Sequence, residues 1–449
     1  MIYTFFAFQR YCLGSKSDVS KVIAGMNWHE LYSFASKQAL LGLCFEGIER
    51  LGKEYPEELK QNPIGRELLM TWMGKAQQIR RQNMKVNAVA SKLFSMLRED
   101  GLRCCILKGQ GNALMYPNPY SRTPGDIDVW IDASRERIME YTQKKFELGD
   151  DIRLQHLETS LDGVPVELHF FPCSMNNPIY HTRLQKWFRR NADLQCSHIV
   201  GLPDGAGDIA IPTTAFNVVY QLTHLYHHFF DEGIGMRQII DYFLVVNDFS
   251  KNVFLNNDLS NPSVSLSKGS STSHPSPLSS EERDVTAPSR CSEPLRSKDG
   301  GPSKVSPNCA GWDRLAIEED NSAGSTTAVT SSASTALVVV QRELKYLGLW
   351  KFAGAVMYVL HEALGLSGEK MIAPMDEKRG KLLLAEILNG GNFGQHFTKY
   401  GHFTQQGMAK KYFLKIWRNM HFVRYYPAEA LSEPLFRTWH FFWRVKNKK

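Results

Sequence analysis

The sequence has no Cys-x-x-Cys pair, although it contains 8 cysteines in 449 residues. This argues against zinc-ribbon sites, whose ligands are paired at short spacing. Long apolar runs are also missing, because the longest, residues 347–366, contains Lys351, His361 and Glu362. That pattern predicts a buried helix and no membrane span. The first residues lack the basic region and cleavage site of a signal peptide, so we expect a protein of the reducing cytoplasm.

The charge is modest overall and uneven along the chain. The formal net charge is +7, yet residues 391–449 contain eleven lysines and arginines against two glutamates, Glu429 and Glu433. This local excess of +9 favours an anionic partner such as nucleotide phosphates, nucleic acid or an acidic surface. It also predicts binding that weakens at high salt. A solvated basic surface is the alternative.

One segment has the composition of a chain that does not fold. Residues 251–334 are about one quarter serine, with clusters such as SSTSHPSPLSS, and show no apolar periodicity. Such a segment cannot bury enough surface to offset its loss of conformational entropy. We therefore expect residues 251–334 to be a disordered insertion, which interrupts a C-terminal helical lobe formed by residues 206–250 and 335–449.

The remaining sequence predicts an α+β fold. Residues 1–98 have helical spacing of apolar residues, most clearly between Leu68 and Leu97. Apolar runs at 102–107 and 125–132 instead read as strands, and Asp162-Gly163 is a two-residue turn typical of a β-hairpin. We predict a small mixed-sheet core in residues 99–205, flanked by N-terminal helices in 1–98 and by the C-terminal helical lobe.

Two aspartates lie in the second of these strands, RTPGDIDVWID. Asp126 and Asp128 are two positions apart, so they project from one face, with Cβ atoms about 6–7 Å apart. Carboxylates at that separation can share a divalent cation, and Glu167 adds a third from the polar face of the hairpin. Paired Mg²⁺ ions stabilise the attacking and leaving oxygens of a phosphoryl displacement. The alternative is that Asp126 caps the turn and Asp128 lies on a solvent-exposed face.

The turn upstream of that strand favours phosphate chemistry. The stretch LKGQGNALMYP places Lys108, Gly109 and Gly111 between a strand and a short helix. Glycines let the backbone approach phosphate oxygens closely, and a lysine supplies a point charge. Arg122 precedes the aspartate strand, where it either attracts anions or pairs with the acidic residues.

Together these segments resemble a known superfamily. LKG, YPNPYSRTPGDIDVWI and VPVELHFFP are similar to motifs of the polymerase-beta-like nucleotidyltransferases, and more closely to those of uncharacterised bacterial nucleotidyltransferases. The resemblance extends over most of residues 40–250 and 337–440. It implies that Asp126, Asp128 and Glu167 hold two Mg²⁺ ions and that Gly109 lies in the turn that binds the nucleoside triphosphate.

The predicted function is Mg²⁺-dependent transfer of a nucleoside monophosphate from ATP or another NTP to an acceptor, which is a small molecule, a protein or RNA. The alternative is a catalytically inactive protein of the same fold that binds nucleotide or a partner. Without metal, neighbouring carboxylates repel each other. We therefore expect Asp126→Asn and Asp128→Asn both to fold normally and to lose Mg²⁺-dependent nucleotide binding.

Three histidines and an arginine are weaker candidates. His224 and His228 are four residues apart on a predicted helix, which suits a metal pair, although their apolar neighbours favour packing. His169 either orients Glu167 or a metal-bound water, or packs on the face of the hairpin. Arg237 either contacts phosphate or pairs with Asp241.

Overall fold

Helices precede the sheet that carries the predicted site. The computed structural model describes residues 2–15, 19–146, 153–259, 332–396 and 408–447. The described helices before the first strand are α1 (Ile2–Cys12), α2 (Val19–Ala24), α3 (Trp28–Lys37), α4 (Leu41–Glu54), α5 (Pro56–Gln61) and α6 (Arg66–Glu99). Helix α6 has 34 residues, and its buried positions Val86, Leu93 and Leu97 recur at helical spacing. This stripe faces the sheet.

A four-stranded mixed sheet lies against α6. Its strands are β1 (Cys104–Leu107), β2 (Ile127–Ile131), β3 (His156–Leu161) and β4 (Val164–His169), in the order β1-β2-β4-β3. Strands β2 and β4 are parallel, and each edge strand is antiparallel to its neighbour. The hairpin predicted at Asp162-Gly163 is confirmed, and both turn residues have positive φ, as a two-residue type I′ turn requires.

The two faces of this sheet differ in chemistry. Ile127, Val129 and Leu168 belong to the core on the α6 side, where they are almost fully buried. On the opposite face Trp130 stacks on Phe216, with ring centroids 6.2 Å apart. The rest of that second face carries the carboxylates and imidazoles described below.

The other elements follow in chain order. They are α7 (Gly109–Ala113), α8 (Arg135–Lys145), α9 (Pro178–Ser197), β5 (Ile199–Gly201), β6 (Asp208–Ala210), α10 (Thr214–Asp231), α11 (Met236–Leu259), α12 (Ser332–Tyr346), α13 (Trp350–Leu364), α14 (Glu377–Gly390), α15 (Met408–Met420) and α16 (Pro427–Asn447). Strands β5 and β6 pair in a separate antiparallel sheet. Up to residue 256 and from residue 332 onward, the described elements belong to one compact unit.

The predicted α+β class is confirmed, with differences at the element level. Helix α9 was not predicted, although its buried positions Leu184, Trp187 and Phe188 recur at helical spacing. The β5–β6 sheet was not predicted either, and its strands have only three residues each. The expected insertion begins too early and ends too late, because α11 continues to Leu259 and α12 starts at Ser332. Residues 260–331 lie outside the described residues. Among the described helices, none has the length and apolar character needed to cross a bilayer.

The basic C-terminal charges are partly used within the fold. Lys415 and Arg437 both bind Asp231, at 2.7 and 3.0 Å, and Arg418 lies 3.6 Å from Glu386. Arg437 also pairs with Glu433, so these three cations are matched by three carboxylates within the fold. The structure favours an internal role for this part of the basic excess over recognition of an anionic partner.

Candidate active site

Strand register brings the polar residues of the sheet together. Asp128 lies opposite Glu167 on the parallel pair β2–β4, and Glu158 lies opposite Glu167 across the hairpin. Two residues further along each strand, His156 lies opposite His169. Because side chains alternate between faces, this places a row of three carboxylates beside a pair of imidazoles on one face of the sheet.

Asp128 is buried and paired with two cationic groups. Its side chain accepts hydrogen bonds from Lys108 Nζ at 3.0 Å and from His169 Nε2 at 2.9 Å, both at Oδ1. Burial acts against the charged form, but these partners hold the pKa of Asp128 well below its usual range. Asp128 is only 6% exposed, so the alternative of a solvent-exposed position is wrong.

The same contacts shift the pKa of His169. Burial lowers it, but the hydrogen bond to Asp128 and the contact with Glu167, 3.2 Å from His169 Nε2, raise the pKa of His169 to about 9. His169 therefore carries a proton at neutral pH and lies between two carboxylates. Its contact with Glu167 is the arrangement that an orienting role for His169 requires.

Asp126 is the solvent-exposed member of the carboxylates Asp126, Asp128 and Glu167. It immediately precedes β2, which begins at Ile127. The neighbouring charge of Asp128, partial burial and Glu167 together raise the pKa of Asp126 to about 6. This shift is a direct consequence of three carboxylates in one place, and it marks a position that favours a cation.

Lys108 connects the carboxylates to helix α10. It lies between β1 and α7 with φ +53° and ψ −123°, a strained conformation for a residue with a side chain. Its Nζ also lies 2.8 Å from Nε2 of His224, which in turn lies 3.0 Å from Nε2 of His228. Burial and the Lys108 charge keep the pKa of His224 well below its usual range, so this ring is a neutral acceptor.

Arg122 is fully engaged inside the protein. Its Nε and one terminal nitrogen donate to the two oxygens of Asp241 at 2.9 and 2.8 Å, and Tyr116 donates to the same carboxylate at 2.7 Å. Asp241 therefore pairs with Arg122 and not with Arg237. This buried group fixes the loop before β2, which supports a positioning role for Arg122.

Arg237 lines the same cleft as Arg122, and one nitrogen of its guanidinium has no hydrogen-bond partner among the described residues. That nitrogen is Nε, while one terminal nitrogen donates to the Thr123 carbonyl at 3.0 Å. Burial lowers the pKa of Arg237, and the neighbouring Arg122 charge lowers it further. A buried cation with an unpaired donor suits an anionic ligand.

One cleft unites most of the predicted residues. Lys108, Gly109, Arg122, Asp126 and Asp128 all line it, and they are joined there by His224, Arg237 and Asp241. Glu167 lies next to Asp128 in the sheet. Gly111 differs, because a Cβ there would come within 3.0 Å of Ile211, so this glycine serves close packing of α7.

Buried polar side chains on three helices fix the walls of the cleft. Asn83 of α6 donates to the carbonyls of Tyr120 and Arg122, at 3.0 and 2.8 Å. Asn112 of α7 and Gln221 of α10 exchange hydrogen bonds at 3.1 and 2.7 Å. These positions carry no recognisable sequence motif, and the sequence analysis did not find them.

Two further polar residues of the site were also missed, although the sequence contained a signal for them. A two-residue turn fixes the register of a hairpin. Counting outward from Asp162-Gly163 places Glu158 opposite Glu167 and His156 opposite His169, as observed.

Comparisons with known proteins identify the family. A search of curated proteins gives no match. Among solved structures, an antigenic nucleotidyltransferase-like protein from Paracoccidioides brasiliensis is similar over 39% of this chain and 89% of its own, with 16% identity. The TM-score of that similarity, 0.25, is too low to support an argument. Residues 24–260, more than half of the chain, match the family described as "Uncharacterised nucleotidyltransferase". The chain therefore belongs to this uncharacterised nucleotidyltransferase family.

Proposed function

We propose that this protein transfers a nucleoside monophosphate from an NTP to an acceptor in a Mg²⁺-dependent reaction. The observation that carries the proposal is a cleft lined by Asp126, Asp128, Lys108 and Arg237, with Glu167 next to Asp128 in the sheet. Three clustered carboxylates suit a hard cation, and two cationic side chains suit the phosphates.

The donor set fits magnesium. All three candidate ligands are carboxylates, and the raised pKa of Asp126 shows that their negative charge is not fully compensated by Lys108 and His169. Mg²⁺ held by these residues would neutralise the charge of the transferred phosphoryl group. Lys108 and Arg237 would contact the nucleotide phosphates, Gly109 would allow close approach of the backbone, and Arg122 would hold the loop.

The role of the protein in such a reaction is mainly positioning. Phosphoryl transfer needs in-line alignment and charge stabilisation more than covalent chemistry from the protein. Helices α6 and α10, which hold the loop before β2 and helix α7, supply the rigid support. The acceptor class stays open between a small molecule, a protein and RNA.

Calorimetric titration of MgATP, MgGTP, MgCTP and MgUTP into the full chain tests the proposal. We expect wild type to bind at least one of them, and Asp126→Asn to weaken that binding by orders of magnitude, with Glu167→Gln close behind. Asp132→Asn is the matched control, because Asp132 follows the same strand but pairs with Arg103 outside the cleft. Equal binding by Asp126→Asn and wild type would contradict the metal assignment.

Transfer itself needs a separate experiment. Incubation with labelled NTPs and Mg²⁺, followed by analysis of which molecule carries the label, identifies both donor and acceptor. We expect labelled product with wild type and none with Asp126→Asn.

One observation favours a second candidate, a nucleotide-binding protein without turnover. Lys108 Nζ lies 3.0 Å from Asp128, where it provides positive charge that a metal would otherwise supply. This candidate predicts nucleotide binding that is unchanged by EDTA and no labelled product. The first proposal predicts that EDTA abolishes both.

A further inference from the structure

The imidazole side of the sheet has a second group of potential metal ligands. His156, Glu167 and His169 each offer one atom, and these atoms all lie within 4.8 Å of one another. The contacts are 3.2 Å from Glu167 Oε2 to His169 Nε2 and 3.4 Å from Glu167 Oε2 to His156 Nδ1. Ligands around a tetrahedral ion with bonds of about 2.0–2.1 Å are separated by roughly 3.3 Å. Two of the three separations thus already match a bound ion.

His156 provides an independent observation. It is 8% exposed, and neither of its ring nitrogens has a hydrogen-bond partner among the described residues. Buried imidazole nitrogens are normally satisfied, since burying an unpaired polar group is costly. Its Nδ1 points towards Glu167, and its Nε2 lies 3.7 Å from Glu158. The ring is therefore aimed at the carboxylates without a bond that explains its position.

We infer that His156, Glu167 and His169 form a binding site for a first-row divalent transition-metal ion. Two imidazoles and one carboxylate suit zinc, cobalt or iron better than magnesium, which prefers oxygen ligands. Three protein ligands leave a fourth position for water or a substrate oxygen. The backbone supports the arrangement, because His156 and His169 are directly paired across a hairpin whose register is fixed by its turn.

This site is distinct from the proposed magnesium site in its chemistry. It uses nitrogen ligands from β3 and β4. The magnesium site instead uses Asp126, which lies just before β2, and Asp128, which lies in β2. Both sites share Glu167. On binding the ion, His169 Nε2 would release its proton to solvent and exchange its hydrogen bond with Asp128 for the metal. The inference does not rest on nucleotidyl transfer, since the ligand geometry stands whether or not the cleft binds NTP.

Metal binding to the chelator-treated full chain tests the inference. Titration with Zn²⁺ and, separately, with Co²⁺ is followed by calorimetry and by the visible absorption of bound Co²⁺. We expect one equivalent per chain with wild type, and binding weakened roughly tenfold or more in His156→Gln. Asp132→Asn and His228→Gln are matched controls that should bind Zn²⁺ as wild type does. The first removes a carboxylate that pairs with Arg103 away from the site, and the second disrupts the His224–His228 pair on α10.

Each result decides the question. The inference is overturned if wild type binds neither Zn²⁺ nor Co²⁺, or if His156→Gln binds them as well as wild type does. His169 then only donates hydrogen bonds to the neighbouring carboxylates. Loss of binding in His228→Gln but not in His156→Gln would place the ion on α10 instead. If His156→Gln does not fold by circular dichroism, electron paramagnetic resonance of Cu²⁺-loaded wild type and His228→Gln counts the coordinated imidazoles directly. Two are expected in both proteins, and fewer in either would refute the site.

Discussion

Asp126 and Asp128 are two residues apart in sequence and have opposite environments. Asp128 is buried and receives hydrogen bonds from Lys108 and His169. Asp126 is exposed, and the carboxylates beside it raise its pKa to about 6. The negative charge of Asp128 is therefore stabilised by its neighbours Lys108 and His169, whereas that of Asp126 is destabilised by the neighbouring carboxylates. Their substitutions should differ in effect on stability, contrary to what the motif alone suggests.

We predict that Asp128→Asn lowers the free energy of unfolding by roughly 3–5 kcal/mol, the cost of breaking a buried ion pair by removing one partner. Asp126→Asn should leave it unchanged or slightly higher, because the substitution removes repulsion. Urea unfolding of both variants in EDTA at neutral pH measures this. Equal stability of the two variants would show that Lys108 and His169 do not depend on Asp128.

At the scale of elements, two helical glycines differ in the space around them, and this space determines how each would tolerate a side chain. Gly380 of α14 faces α13, and a Cβ there would come within 2.3–2.5 Å of the Cβ, Cγ and Cδ1 atoms of Tyr358. Gly74 of α6 has open space around its Cα. The same substitution should thus have opposite effects at the two positions.

We predict that Gly380→Ala destabilises the protein by about 1–3 kcal/mol through overpacking. Gly74→Ala should stabilise it by roughly 0.5–1 kcal/mol, because alanine favours a helix interior. Thermal and urea unfolding of both variants check the two signs. A stabilising Gly380→Ala would mean that α13 and α14 are not in close contact at Tyr358.

Helix α16 contacts the start of α9 through a buried carboxylate. Glu429 is 1% exposed and accepts hydrogen bonds from the backbone N–H groups of Asn176 and Asn177, at 2.6 and 3.2 Å. Burial raises the pKa of Glu429 to about 7, although these hydrogen bonds lower it. The folded state therefore holds a proton that the unfolded state has already released between about pH 4.5 and 7.

Because the pKa of Glu429 is raised in the folded state, ionisation of Glu429 destabilises the fold. This destabilisation is absent below about pH 4.5 and complete above about pH 7. We predict that the stability of wild type relative to Glu429→Gln falls by on the order of 2–4 kcal/mol between pH 5 and pH 8. Urea unfolding of both proteins at the two pH values gives this difference. A difference independent of pH would show that Glu429 is ionised throughout.

At the scale of the whole molecule, the serine-rich composition predicts that the insertion can be removed. The end of α11 and the start of α12 define which residues can be deleted. Replacing residues 260–331 by a flexible Gly-Ser linker should change the melting temperature by only a few degrees, because loop length has a small entropic effect. The deletion must stop short of α11 and α12, since Ala336 and Val340 of α12 are buried. Scanning calorimetry of the shortened protein tests this. Loss of soluble protein would mean that the segment contributes to folding.

The sequence was sufficient to predict the class of fold, the Asp162-Gly163 hairpin and the strand that contains Asp128, although Asp126 lies just before that strand. These features depend on local patterns of two or four residues, namely alternation of apolar side chains and turn chemistry. It did not predict α9 or the β5–β6 sheet, whose strands have only three residues each. Strands as short as β5 and β6 are stabilised by contacts with distant residues and not by their own propensity.

By itself, the sequence also indicated three carboxylates for the candidate site, because strand periodicity places Asp126, Asp128 and Glu167 on polar faces, but it missed Glu158. Only the tertiary structure decided their charge environment. The pairing of Asp128 with Lys108 and His169, the approach of His224 from α10, and the pairing of Arg122 with Asp241 join residues 20 to 119 positions apart. A pKa depends on burial and on charges within a few ångströms, and chain packing alone brings those charges together.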